Sequence, residues 1–184
     1  MSIIINFFGG PGIGKSTQSS GLFAEMKKKH MDVEITYEFA KNFAWEENFS
    51  PLKDQFYVSA NQHRKISRLF NKVKYIIVDS PLILGLTYKN MNGGEMDYPL
   101  NLYDEKFDTF ILDLFNKYEN LNILLTRDDS TYNESGRFQD LNEAKVIDND
   151  IKQRLINNNI QFVEFPVHEK TYIDIFNYIT LNKI

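Results

Sequence analysis

At 184 residues the chain is long enough to bury one real core and short for two ordinary domains. Apolar residues make up 42%, with 15 Phe and 10 Tyr, which excludes a disordered chain; the absence of cysteine excludes a disulfide scaffold, a thiolate metal site and a cysteine nucleophile. The net charge of −4 runs against the basic balance of proteins that grip a nucleic-acid backbone, so a small molecule is the expected partner. No run approaches the roughly 18 apolar residues of a bilayer span, and the N-terminus lacks the basic start of a signal peptide. No membrane association and a cytoplasmic location, reducing enough for a cysteine-free chain, are therefore expected.

Short apolar runs alternate with helical stretches, the pattern of a parallel sheet covered on both faces. Ile3 to Phe8 reads as a first, buried strand, ended by Gly9-Gly10-Pro11-Gly12. A helix is predicted from Lys15 to Lys29 with Leu22, Phe23 and Met26 inward, then a strand from Val33 to Tyr37. Ser50-Pro51 carries helix-start signals, and Leu52, Phe56, Ser59, His63, Ile66 and Phe70 recur at helical spacing as its expected core face. Val73 to Asp79 is the clearest buried strand. Tyr88 to Pro99, with Gly93-Gly94, reads as a loop, and Phe107 to Tyr118 as an amphipathic helix. A strand at Asn122 to Thr126, the polar stretch from Arg127 to Gln139, a helix at Glu143 to Ile156, a strand at Gln161 to Phe165 and a helix at Tyr172 to Leu181 complete the chain. There is no repeat, low-complexity tract or linker, so residues 1–184 are expected to form a single domain.

The run Gly9-Gly10-Pro11-Gly12-Ile13-Gly14-Lys15-Ser16, followed by Thr17, matches G-x-x-x-x-G-K-[ST] between a predicted strand and a predicted helix. Its glycines let the backbone curl so that successive N–H groups face one concavity suited to phosphate, reinforced by the positive end of the helix. Gly10, Pro11, Gly12, Ile13, Gly14, Lys15, Ser16 and Thr17 are thus expected around bound ATP. Lys15 would reach the β- and γ-phosphates and Ser16 would ligate Mg²⁺. Tyr75-Ile76-Ile77-Val78-Asp79 is an apolar strand ending in a carboxylate, where open α/β sheets bind ligands, so Asp79 is the second expected magnesium residue. The alternative is an Asp that caps the turn through Ser80-Pro81.

These residues resemble the small P-loop kinases, in particular the ribosylnicotinamide-kinase-like and thymidylate-kinase-like groups, and a set of bacteriophage proteins of this size that includes hydroxymethyluracil DNA kinases. The resemblance runs from Asn6 through Thr17, to Tyr37-Glu38-Phe39-Ala40-Lys41, Asp54-Gln55 with Gln62-His63-Arg64, Val78-Asp79-Ser80-Pro81, and Arg127 through Gly136-Arg137. It implies a three-layer P-loop sandwich with a parallel five-stranded sheet in the order 2-3-1-4-5. It also implies Glu38 as the carboxylate that orients the acceptor hydroxyl and takes its proton. Arg127 and Arg137 would close over the γ-phosphate from a lid spanning residues 127–139. The exit of the fifth strand, Pro166 to Glu169, would lie by the adenine. For the acceptor, Glu38, Phe39, Lys41, Phe43 and Trp45 are candidates, with Gln55 and Gln62 sharing a helix face seven residues apart. Two departures stand out. Thymidylate kinases carry an arginine after the strand-ending Asp, where this chain has Ser80. The adenylyltransferase domain of some ribosylnicotinamide kinases is missing from these residues, which predicts a kinase without that second activity.

Three functions follow as expectations: a kinase for a free nucleoside or nucleotide, a kinase for a hydroxymethylpyrimidine within DNA, and a regulatory NTPase with no acceptor. The second would place the protein in a phage DNA-modification pathway and in the host cytoplasm, and would need an extruded base. Lys27-Lys28-Lys29-His30, the only basic cluster in the sequence, falls at a helix C-terminus that favours cations for its own reasons.

Overall fold

The computed structural model describes residues 1–48, 50–91, 104–127 and 141–184. Five strands pair in parallel in the order β2-β3-β1-β4-β5 among the described residues: β1 is Ile3–Phe8, β2 Val33–Thr36, β3 Tyr75–Val78, β4 Glu119–Thr126 and β5 Val163–Pro166. Every residue of β1 is buried, because the central strand alternates its side chains between two cores. Ile4 and Phe8 point to one face with Ile76, Val78 and Leu124. Ile3, Ile5 and Phe7 point to the other with Ile77, Ile123 and Leu125. Asn6 interrupts the first core at 1% exposure. It is satisfied there: its Nδ2 donates to Asn120 Oδ1 and Asn122 Oδ1, each at 2.9 Å, joining β1 to β4 by side chains as well as backbone.

Helices α1 (Lys15–Lys28) and α7 (Thr171–Leu181) cover the second face, through Leu22, Met26, Ile175 and Ile179. Helices α3 (Gln55–Ser67), α4 (Leu84–Met91), α5 (Asp104–Asn116) and α6 (Leu141–Asn157) cover the first. A short helix α2 (Lys41–Trp45) and a single 3-10 turn (Ser50–Lys53) lie between β2 and α3. No helix among the described residues is long and apolar enough to cross a membrane.

The order and direction of the strands agree with the sequence expectation; three local details do not. Ser50-Pro51 starts only the 3-10 turn, and α3 begins after Asp54, whose side chain accepts the Tyr57 N–H at 2.9 Å as the N-cap. The buried face of α3 is Gln55, Ser59, Gln62 and Ile66, whereas Phe56 stays 36% exposed. Tyr88 lies on helix α4, not in a loop, because Leu82, Ile83, Leu84 and Leu86 drive that segment into the core. The remainder of the loop expected from Tyr88 to Pro99, beyond Met91, lies outside the described residues.

Candidate active site

The site grows from the C-terminal ends of β1 and β3, the middle of the sheet. As β1 ends, the chain passes through Gly9, Gly12 and Gly14 at φ values of 143°, 75° and 97°, a region closed to most side chains. Gly14 is the N-cap of α1 and offers no side-chain cap, so the first amides of the helix are left to whatever anion the loop encloses. Lys15 Nζ donates to the carbonyls of Gly9 at 2.6 Å and Gly10 at 2.9 Å, holding the ammonium across the loop. Burial lowers its pKa, opposed first by Glu38 and then by Asp79 and Asp148.

Asp79 follows directly on β3 and is 3% exposed. Its Oδ2 accepts the Ser16 hydroxyl at 2.7 Å, while Oδ1 is buried without a hydrogen-bond partner. An unpaired buried carboxylate oxygen beside a hydroxyl, under an open helix N-terminus, fits Mg²⁺ and a nucleotide phosphate. No cluster of three His, Asp or Glu able to hold a metal occurs among the described residues. The remaining ligands would therefore be phosphate oxygens and water, as is ordinary for Mg²⁺.

A cavity of about 800 Å³ opens from this point, lined by Lys15, Ser16 and Thr17 at one end and by Gln55, Ser59 and Gln62 at the other. Pro11, Gly12 and Gly14 also line it, whereas Gly10 and Ile13 do not. Ile13 packs into the core at 4% exposure. Glu38 and Phe39 line the cavity as well, Glu38 within electrostatic reach of Lys15 and Asp79 and Phe39 hydrogen-bonded to Gln62. Glu38 is fixed from both sides by α3: Lys65 Nζ donates to Tyr37 O at 2.9 Å, and Gln62 Oε1 accepts the Phe39 N–H at 3.0 Å. Burial raises the Glu38 pKa, against the pull of Lys15 and reinforced by Asp79.

Most of the residues singled out in the sequence converge on this cavity: Lys15, Ser16, Thr17, Glu38, Phe39, Lys41, Gln55 and Gln62 all line it. Phe43 supports Phe39 from behind, with ring centroids 5.3 Å apart. Trp45 does not line it; the side chain is 81% exposed, beyond the first turn of α2. Arg137 and the rest of the expected lid after Arg127 lie outside the described residues. Arg127 is committed behind the P-loop, with no place on the cavity wall: its Nε donates to Asp148 Oδ2 at 2.8 Å and its Nη2 to the Pro11 carbonyl at 2.8 Å. Asp148 Oδ1 in turn accepts the Gly10 N–H at 2.6 Å. A side chain at position 10 would collide with that same oxygen, so glycine is required there for close approach.

Asp148 and Tyr88 were not anticipated at the site, and Ser59, expected on the core face of its helix, lines the cavity. Asp148 left one readable trace: it falls on the stripe formed by Ala144, Ile151 and Leu155, and an acid on an apolar stripe has to be paired. Tyr88 closes the cavity from α4, and burial raises its hydroxyl pKa. At the opposite end, Gln18 ties α1 to the exit of β5, donating to His168 O at 2.9 Å and accepting the Tyr172 N–H at 2.8 Å.

Comparison with known proteins agrees with this fold. Thymidylate kinase of Dehalococcoides mccartyi is 33% identical over 95 residues, a match covering 46% of this chain and 44% of that enzyme. The match thus spans less than half of the curated relative. Among solved structures, NadR protein in complex with NR superposes with a TM-score of 0.72 at 12% identity, over 97% of this chain and 50% of that one. Deoxyadenosine kinase from M. mycoides with bound dATP gives 0.62 at 20% identity, over 96% and 99%. Those two likenesses are likenesses of fold. The family described as an AAA domain matches residues 4–171, from the start of β1 to the start of α7, and the chain belongs to it.

Proposed function

We propose that the protein is a P-loop kinase that transfers the γ-phosphoryl group of Mg·ATP to a nucleoside- or nucleotide-type acceptor. The observation that carries this is the single cavity joining Lys15 and Ser16 to Glu38, Gln55 and Gln62, since a nucleotide switch needs no second chamber beside its phosphate loop. Bound Mg·ATP would supply the phosphoryl group, made electrophilic by the metal and the loop. Ser16 and Asp79 would hold the metal, and Lys15 and the amides from Gly12 to Thr17 would bind phosphate oxygens. Glu38 orients the acceptor and takes its proton. Arg127 acts with Asp148 on the shape of the loop, and Arg137 is kept as the candidate for the γ-phosphate. The relation to thymidylate kinase supports an acceptor of the broad nucleoside and nucleotide class; Gln55 and Gln62 supply the amides to read it.

A second reading, transfer to a hydroxymethylpyrimidine within DNA, is favoured by one feature. Lys41 and Lys53 stand exposed on the cavity lining, and Tyr37 and Trp45, at 51% and 81% exposure, flank Lys41 in sequence. Exposed aromatics beside lysines suit a single strand of nucleic acid.

The test is incubation with labelled ATP and Mg²⁺ against free (deoxy)nucleosides and nucleotides, and separately against hydroxymethylpyrimidine DNA, with Lys15→Ala as control. Label in a small molecule supports the first reading; label in DNA alone, falling steeply with salt, supports the second. Lys15-dependent phosphate release with no labelled acceptor would return the protein to the NTPase class.

A further inference from the structure

We infer that the acceptor presents an uncharged hydroxyl to the phosphoryl group, as a nucleoside or a hydroxymethyl base does, and that phosphate monoesters are rejected. This rests on the kinase reading above and narrows it.

The inference comes from where the cations are. A phosphate acceptor brings about two negative charges into a partly dehydrated chamber and needs cationic hydrogen-bond donors around its reacting end. Among the described arginines none lines the cavity. Arg64 and Arg68 are exposed, Arg154 pairs with Asp150, and Arg127 is held by Asp148 and Pro11. The lining cations are Lys15, Lys41 and Lys53. Lys15 is held on the loop carbonyls, where it serves the phosphates of ATP, and the other two are solvent-exposed. The stretch from Asn92 to Tyr103 contains neither Lys nor Arg, and the one arginine outside the described residues, Arg137, is the candidate for the γ-phosphate of ATP.

The interior of the acceptor end is instead neutral and polar. Gln55, Ser59 and Gln62 are each 4% exposed, and Gln62 Nε2 is buried without a hydrogen-bond partner. Its Oε1 already accepts from Phe39, so the amide is oriented with its donor left for a ligand. On the same cavity, within electrostatic reach of Lys15, is a carboxylate, Glu38. A carboxylate repels a phosphate monoester and suits an alcohol, which has a proton to give. The step balances accordingly. The acceptor oxygen forms a bond to the γ-phosphorus as the bond from that phosphorus to the ADP oxygen breaks, the electron pair leaves with ADP, and the acceptor proton passes to Glu38.

The experiment compares matched acceptors with the full-length protein, labelled ATP and Mg²⁺: each (deoxy)nucleoside, its 5′-monophosphate, and an oligonucleotide carrying a hydroxymethylpyrimidine without terminal phosphate. The expected result is a kcat/KM at least about 100-fold higher for the best hydroxyl acceptor than for the matched monophosphates. Glu38→Gln should lower transfer to that acceptor by about 10²–10⁴-fold while the melting shift produced by Mg·ATP persists. Labelled nucleoside or labelled oligonucleotide each supports the hydroxyl class and identifies its source. Monophosphates accepted as well as or better than the alcohols overturn the inference but leave the kinase reading standing. ATP hydrolysis without label in any acceptor overturns the kinase reading, and this inference with it.

Discussion

Glu38 shows what a single side chain contributes and costs. Its carboxyl is held above the ordinary range chiefly by burial, with Lys15 only partly relieving the penalty. Because the folded state binds this proton more tightly than the unfolded chain, the stability linked to Glu38 is greatest below the unfolded carboxyl pKa. It declines as pH rises through the raised value. Glu38→Gln is therefore expected to melt above wild type at pH 8, with the difference vanishing near pH 4, as scanning calorimetry at the two pH values would show. Activity runs the other way. A base must be ionised, so wild-type turnover should fall as pH drops through the Glu38 pKa, whereas the Gln variant should be slow and without that acidic limb. A stabilised but inactive variant is the signature of a group kept for chemistry at the expense of the fold. Asp79 is placed differently: Asp79→Asn keeps the hydrogen bond from Ser16 but removes the charge, and a large loss of Mg²⁺-dependent nucleotide binding by titration calorimetry is the expected result.

At the scale of elements, the P-loop is held from behind by α6 and the end of β4. Asp148 and Arg127 bind Gly10 N–H and Pro11 C=O, and Gly10 C=O in turn receives Lys15 Nζ. Charged hydrogen bonds of this kind contribute about 1.5–3 kcal/mol each. Asp148→Asn should therefore raise the KM for ATP by roughly 10-fold while the KM for the acceptor stays within about 2-fold, because α6 does not line the acceptor end. Steady-state kinetics with each substrate varied separately distinguishes this from a general loss of folding. Gln62→Leu is the converse. It strands the Phe39 N–H and removes the amide from the cavity, so the acceptor KM should rise about 10-fold or more and the ATP KM should not. Helix α3 was legible as a helix with Ser59 and Ile66 inward and with Gln55 and Gln62 on one face, but its start and the exposure of Phe56 were not. Ser50-Pro51 and Asp54 both carry start signals, and the polar face of α3 is buried only because it borders a cavity.

For the whole molecule, a parallel sheet of five strands puts the P-loop, Asp79 and the β2 exit carrying Glu38 at one edge, though they are separated by more than sixty residues of sequence in the Ser16–Asp79 pair. Mg·ATP at about 100 times its Kd is expected to stabilise the fold by about 2.7 kcal/mol, a rise of roughly 5–10 °C in Tm for a domain of this size. Thermal denaturation with and without Mg·ATP measures this, and Lys15→Ala should abolish the shift.

The sequence alone determined whatever is local: the strand–loop–helix that makes a phosphate cradle, the apolar run that ends in Asp79, and an alternation of strands and helices that admits few parallel topologies. The first two are written in short consecutive stretches, where backbone geometry and burial leave little choice, and the third in the order of such stretches along the chain. Tertiary structure alone decided which side chains meet. Asp148 finds Gly10 across 138 positions, and Trp45 turns to solvent while Phe39 turns to the cavity. It also turned Arg127 toward Asp148, a placement set by how α6 packs on the P-loop. The reason is that helix facing and long-range pairing depend on packing against elements distant in sequence, and no local propensity encodes them.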